Sequence, residues 1–232
     1  SNPRLETISD YCFYNCLNLN PIFTNFINLY LLGDFAFYGC KNIQNLNNFP
    51  SSIREIGKGC FMETDISGDF VTPSNLEIIR ESAFENLQGI SSVTLSEKIA
   101  LVEKNAFYGC IGIETLTIKC PLNKLAETGG DGSIFVGCDK LKTVNIYNED
   151  IKNQNIIVNN TNNHIPASCF SSDRSTTEPL FPIIGQYIEN INIYGVKIIG
   201  KRAFYDCINL KNVIFNTYPS NNTYRSNYTQ TI

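Results

Sequence analysis

Apolar positions in this chain repeat over a long period. A small or apolar residue precedes Phe at Cys12-Phe13, Ala36-Phe37, Cys60-Phe61, Ala83-Phe84, Ala106-Phe107, Ile134-Phe135, Cys169-Phe170 and Ala203-Phe204. The Phe residues lie 24, 24, 23, 23, 28, 35 and 34 positions apart. Eight units of about 23 residues follow, with extra chain in the last three intervals. Eight positions before Phe stand Leu5, Leu29, Ile53, Leu76, Ile99 and Val196; five before it stand Ile8, Leu32, Ile56, Ile79, Val102, Ile165 and Ile199. Six after it come Leu19, Ile43, Ile90, Ile113, Leu141 and Leu210, and nine after it Ile22, Leu46, Phe70, Val93, Leu116, Val144 and Val213. Leu95, Ile118, Ile146 and Phe215 stand eleven after it, and Ile188, Ile191 and Ile193 resume the same order in the seventh unit. The resulting apolar-x-x-apolar-x-apolar stretch ends in alternation, the signature of a strand with one buried and one wet face. One short strand per unit cannot bury its own apolar side, so the units must stack with their strands in parallel. A helical repeat would be longer and rich in Ala, Leu, Glu and Lys, whereas Ile, Val, Thr and Asn fill these segments.

Two stretches carry a family resemblance. Ala106-Phe107-Tyr108-Gly109-Cys110-Ile111-Gly112-Ile113-Glu114-Thr115-Leu116-Thr117-Ile118 and Ala203-Phe204-Tyr205-Asp206-Cys207-Ile208-Asn209-Leu210-Lys211-Asn212-Val213 resemble the BspA-like, or Treponema-type, leucine-rich repeat. Ile56-Gly57 and Ile199-Gly200 fit its lead-in. The resemblance implies a right-handed leucine-rich repeat β-solenoid of about eight coils, with a parallel sheet on its concave face and the Ala-Phe segment on its convex face. We expect the solenoid over residues 1–216, with insertions at about 148–163 and 171–186 and a polar tail or partial C-terminal cap over 217–232. Leu5 and Ile8 already fill their columns, which leaves room for more repeats or a cap before Ser1. Two units depart from the pattern: the third carries Thr64 for Cys and Ser67 for an aliphatic residue, and the sixth has Gly129, Gly130 and Gly132 upstream. Their packing should be looser than around Phe84 and Phe107.

Eight of the nine cysteines fall in two columns. Cys16, Cys40, Cys110, Cys138 and Cys207 lie three after Phe; Cys12, Cys60 and Cys169 lie immediately before it. An inward ladder of small, buried, reduced thiols produces that clustering, since free Cys packs like a compact hydrophobe and exchanges with Ala. Parallel Cβ vectors in adjacent coils disfavour bridges, and no second ligand pair accompanies Cys12 and Cys16 to make a zinc site. Cys120 lies outside both columns.

If the apolar columns point inward, residues eight, ten and twelve after Phe face out from the strands. They read Ser92, Thr94 and Ser96; Thr115, Thr117 and Lys119; Thr143, Asn145 and Tyr147; Asn190, Asn192 and Tyr194; Asn212, Ile214 and Asn216. Thr115, Thr117, Thr143, Asn145, Tyr147, Asn190, Asn192 and Tyr194 form the candidate partner-binding patch, bordered by both insertions. The first units present Pro21, Phe23 and Phe49 instead.

Composition narrows the function. Charged residues are only 17% of 232, and polarity comes from 30 scattered Asn. A net charge of −4 gives no basic face for nucleic acid. No apolar run reaches the roughly 18 residues of a membrane span. His164 stands alone at the end of the first insertion without a recurring carboxylate and nucleophile, and Gly129-Gly130-Asp131-Gly132 lacks the Lys and Ser or Thr of a phosphate loop. We therefore expect no catalytic residue, cofactor or metal, and a non-catalytic recognition module. The resemblance implies a cell-surface or secreted protein, adhesin- or receptor-like, that binds a protein or a glycan; the alternative is an intracellular scaffold. Sequons at Asn159, Asn221 and Asn227 fit export.

Overall fold

The computed structural model describes residues 4–23, 26–120, 134–147, 164–165, 188–194, 198–199, 204 and 207–216. Both expected insertions, the 217–232 segment, the sequons and Gly129–Gly132 lie outside them. The strands fall on two walls. On one wall the two-residue strands β1 (Thr7–Ile8), β2 (Leu31–Leu32), β3 (Glu55–Ile56), β5 (Ile78–Ile79) and β7 (Leu101–Val102) pair in sequence order. On the other, β4 (Ser67–Val71), β6 (Gly89–Leu95), β8 (Thr115–Ile118), β9 (Thr143–Tyr147), β11 (Asn190–Tyr194) and β13 (Asn212–Asn216) form a wide six-stranded sheet. All pairings are parallel. Strands β10 (His164–Ile165) and β12 (Ile198–Ile199) pair separately, with His164 opposite Ile198. His164 is thus a repeat position, six before its Phe. The molecule is a leucine-rich repeat β-solenoid.

Between the walls runs a spine of stacked rings. Phe37, Phe61, Phe84, Phe107 and Phe135 are buried and near-parallel to their neighbours, at 5.6, 5.5, 5.2 and 5.2 Å. The stack is wider on both sides of Phe61 than at Phe84–Phe107, as the third unit's departures lead one to expect; at Phe135 it is not. Each Phe N–H donates to the carbonyl just before the next coil's Phe, as from Phe84 to Ala106 at 2.8 Å and from Phe107 to Ile134 at 2.9 Å. The backbone passes through left-handed conformations two residues before Phe, at Tyr11, Phe35, Gly59, Ser82 and Asn105, and two after it, at Asn15, Gly39, Glu63, Asn86, Gly109 and Gly137. Gly109 serves twice, since its φ of 68° suits glycine and a Cβ there would run into the Asn86 side chain.

Four sequence expectations are corrected. First, in place of the expected eight full coils the described residues form about six turns that carry a wide-sheet strand, because that sheet begins only in the third unit. In the first unit Pro21 cannot donate to a ladder, and in the second the Asn-rich stretch 44–48 resists extended pairing. Second, the first unit slips by one residue there: Ile22 is 67% exposed and Phe23 is buried instead. Phe23 stacks on Phe49 at 4.8 Å and meets the edge of Phe37 at 5.5 Å, so Phe23 and Phe49 line the core and not the wet face. Third, Ser96 is buried, with its hydroxyl donating to the Pro73 carbonyl and accepting from Thr72. Fourth, the thiol ladder is buried only away from the ends: Cys40, Cys60, Cys110 and Cys138 are buried, whereas Cys12 and Cys16 are exposed because no described coil covers them. Cys207 is intermediate, and Cys169 lies outside the described residues.

The inner thiols do more than fill space. Cys40, Cys110 and Cys138 each donate to the Phe carbonyl of the preceding coil, at 3.0, 3.0 and 3.3 Å. Thr64, which replaces Cys in the third unit, is buried and donates to the Phe61 carbonyl at 2.8 Å. Cys and Thr thus add a donor at this column, which in the fourth unit is filled by the buried Leu87 instead. Burial pushes the Cys110 and Cys120 thiols up to about 12, and Cys60 and Cys138 also lie well above the ordinary thiol range.

Candidate functional site

The wide sheet assembles all eight candidate residues. Thr115, Thr143 and Asn190 are opposite one another on β8, β9 and β11; Thr117, Asn145 and Asn192 form the next row; Tyr147 faces Tyr194 at the strand ends. Their side chains are half-buried, with Leu116, Ile118, Val144, Ile146, Ile191 and Ile193 buried behind them. Alternation on a pleated strand forces this division: every second residue leaves the core.

The rows are hydrogen-bonded across coils. Asn145 Nδ2 donates to Thr117 Oγ1 at 3.2 Å, and Asn192 Nδ2 donates to Asn145 Oδ1 at 2.8 Å. In the adjacent row Asn212 Nδ2 donates to Asn190 Oδ1 at 2.8 Å. The Tyr147 and Tyr194 rings stack 4.2 Å apart at 4°. Partial burial, reinforced by a hydrogen bond with Tyr147, raises the Tyr194 phenol above its ordinary value, so this end of the sheet is partly dehydrated. At the opposite edge the register between β4 and β6 shifts at Gly68/Asp69 and skips Ser91. Ser91 and Ser92 both donate to Asp69 Oδ1, at 2.9 and 2.7 Å, and these bonds hold its carboxyl below the usual carboxylate range.

The repeat geometry can now be set beside known proteins. The family model described as BspA type leucine rich repeat region (6 copies) matches over residues 6–142, 60–177, 131–215 and 184–229. The chain belongs to this family. Among solved structures, a leucine-rich repeat protein from Bacteroides ovatus ATCC 8483 is 17% identical, aligns over 90% of this chain and 57% of its own, and has a TM-score of 0.43. A leucine rich cell surface protein from Faecalibacterium prausnitzii A2-165 is 15% identical over 90% of this chain and 64% of its own, with a TM-score of 0.39. The chain thus spans less than two thirds of either neighbour. No curated protein matches it. Repeats of the BspA type are non-catalytic scaffolds that generally serve protein interaction.

Sequence reasoning missed two features of this BspA-type chain. One is the second wall, where only two residues per coil pair. The other is the ion ladder on that wall: Arg80 bridges Glu55 at 2.7 Å and Glu103 at 2.9 Å, Glu81 bridges Lys58 at 3.0 Å and Lys104 at 3.5 Å, and Arg54 meets Glu77 at 2.9 Å. Its signal lies in sequence separations of 22 to 25 residues, visible once charges are placed in the same register as the Phe. Among the described residues, no group of three or more His, Cys, Asp or Glu is placed to hold a metal ion, and no helix is long and apolar enough to cross a membrane.

Proposed function

We propose that this chain is a non-catalytic recognition module of a cell-surface or secreted protein, adhesin- or receptor-like, whose partner docks on the wide sheet across β8, β9 and β11. One observation carries the reading: three neighbouring strands turn short polar side chains outward, with the Thr117–Asn145–Asn192 row hydrogen-bonded across all three and a stacked Tyr pair at the strand ends. Such groups are held in place before a partner arrives, so binding loses little side-chain entropy, and the Tyr rings supply contact area with a polar tip. The rows lie outside the core, unlike the Phe spine.

The test replaces Tyr147 and Tyr194 together by Ala and screens both proteins against arrays of extracellular-matrix proteins and glycans. Stability should stay within about 1 kcal/mol of the parent, because both rings are surface groups. Affinity for the captured partner should fall by about 2 kcal/mol or more, near thirtyfold. A double variant that melts normally and binds with unchanged affinity would place the docking face elsewhere. Surface biotinylation of cells expressing the full gene tests export separately.

A further inference from the structure

The charge pattern of the wide sheet narrows the partner further. In the outward rows from β6 to β13, Ser92, Thr115, Thr143, Asn190 and Asn212, and beside them Thr94, Thr117, Asn145, Asn192 and Ile214, none carries a charge. The flanking column reads Glu114, Lys142, Glu189 and Lys211, alternating in sign so that its field cancels at a distance, and Lys211 meets Glu189 at 3.1 Å. Lys119, beside the Tyr end, lies 3.9 Å from Glu97. A sulfated, phosphorylated or carboxylated ligand would give up hydration here without gaining a matching positive field.

Strand order argues against an extended peptide. β8, β9 and β11 are inner strands paired on both sides, so their backbone groups cannot add another strand. Protein interfaces draw their energy chiefly from Trp, Tyr and Arg anchors, and the eight candidate residues hold no Trp, no Arg and only the Tyr147–Tyr194 pair at one end. What they do hold is chemically two-sided. Asn145 spends one amide hydrogen on Thr117 and accepts from Asn192, which leaves it a second N–H and a further lone pair; Thr117 accepts from Asn145 and keeps its own O–H. Groups that both donate and accept at regular spacing complement hydroxyls, which do the same, while a tyrosine ring face takes the C–H side of a sugar.

We infer that the ligand of the wide sheet is an uncharged glycan, held between the Thr117–Asn145–Asn192 row and the Tyr147–Tyr194 pair. This rests on the reading of that sheet as the binding face. The experiment screens the chain on an array holding both neutral oligosaccharides and acidic ones such as heparin fragments, then titrates the best binder by calorimetry. A neutral glycan should bind best, with a Kd that changes less than about twofold between low and high NaCl, since no charge is there to be screened. Asn145→Ala with Asn192→Ala removes the donors and acceptors without adding charge, and should cost more than about tenfold in affinity while the protein still unfolds cooperatively within a few degrees of the parent; the Tyr147→Ala, Tyr194→Ala variant should do the same. If the best binder is acidic or a protein, and the Tyr variant loses it, the ligand class is wrong while the binding face stands. If a neutral glycan binds and all four substitutions leave it bound, both inferences fall. Absence of any neutral glycan with a Kd tighter than about 1 mM overturns the ligand class.

Discussion

The first coil and the fifth share a Phe and the Cys three residues after it and use them differently. Phe107 is fully buried, stacked 5.2 Å from Phe84 on one side and 5.2 Å from Phe135 on the other, with Ala106 and Cys110 buried beside it. Phe13 stacks on Phe37 alone at 5.3 Å and is only partly buried, while Cys12 and Cys16 are exposed. Around them Tyr11, Tyr14, Leu17, Ile22 and Ile27 are all exposed, a concentration of apolar surface that the inner coils lack. Tyr11 stacks on Phe35 at 5.2 Å and Tyr14 on Tyr38 at 4.7 Å, which shields one side of each ring. At the Phe and Cys columns the repeat sets where a side chain stands, and burial is conferred by the coils on either side.

The largest effect should come from deleting the shared aromatic. Phe107→Ala should cost roughly 3 to 5 kcal/mol by leaving a ring-sized gap between two others, whereas Phe13→Ala should cost less, about 1 to 2 kcal/mol, since Phe13 is only partly buried and stacks on Phe37. Urea unfolding of both variants measures the difference. Equal costs would mean that the first coil is as well covered as the fifth, and a Phe107 cost under about 1 kcal/mol would mean that the spine does not hold the coils together.

The thiols sharpen the same contrast. Cys12 and Cys16 are accessible, while Cys110 and Cys120 are buried with their thiols pushed up to about 12, so little thiolate forms near neutrality and a reagent must wait for the coils to open. In native protein at neutral pH, Cys12 and Cys16 should react with a maleimide at least about a hundredfold faster than Cys110 and Cys120, read by peptide mass. In denaturant without reductant all four should react alike. Protection of Cys12 in the native state would contradict the open first coil.

What the sequence made legible follows the same logic. The inward columns were readable because each position repeats up to eight times, which averages out single exceptions. The rows of Thr and Asn were readable by alternation, and all eight candidate residues do lie together on neighbouring strands. Three things were not readable. Ile22 and Phe23 are both apolar, so composition alone could not show that Pro21 displaces the register by one. Ser96 is polar and falls in an outward position, but its partners Thr72 and Pro73 come from the previous coil, and only the fold brings them within 2.9 and 3.2 Å. The cross-coil bonds from Asn145 to Thr117 and from Asn192 to Asn145 depend on rotamers, which no linear pattern encodes.

A middle-sized effect separates the two walls. Arg80 is about one third exposed and bonds two carboxylates, Glu55 and Glu103. Arg80→Met should destabilise by about 1 kcal/mol, because it removes both bonds and leaves Glu55 and Glu103 facing each other across β5, whereas Thr117→Val on the uncharged wide sheet should change stability by less than about 0.5 kcal/mol. Thermal unfolding of both variants decides. A Thr117→Val cost exceeding that of Arg80→Met would make the wide-sheet rows part of the framework of the fold.

The smallest effect lies in the pH dependence of the ion ladder. The Glu81 carboxyl is held below its usual range, first by the hydrogen bond from Lys58 and then by the charges of Lys58 and Lys104. A carboxyl whose folded value lies below its unfolded value of about 4.3 contributes stability above that pH and loses it as pH falls through the folded value. The Lys58 ammonium is raised, so its share is present below about 10.4 and is lost as pH climbs through its folded value. Glu81→Gln should therefore cost less than about 1 kcal/mol at neutral pH, less again at pH near 3 where the parent's own carboxyl is protonating, and less in high salt. The Phe107→Ala cost should be indifferent to salt over the same range, because burial and not charge sets it. A Glu81→Gln effect that grows on acidification, or that ignores salt, would mean that this column is held by packing like the spine, and the distinction between an ion-paired wall and an apolar interior would not survive.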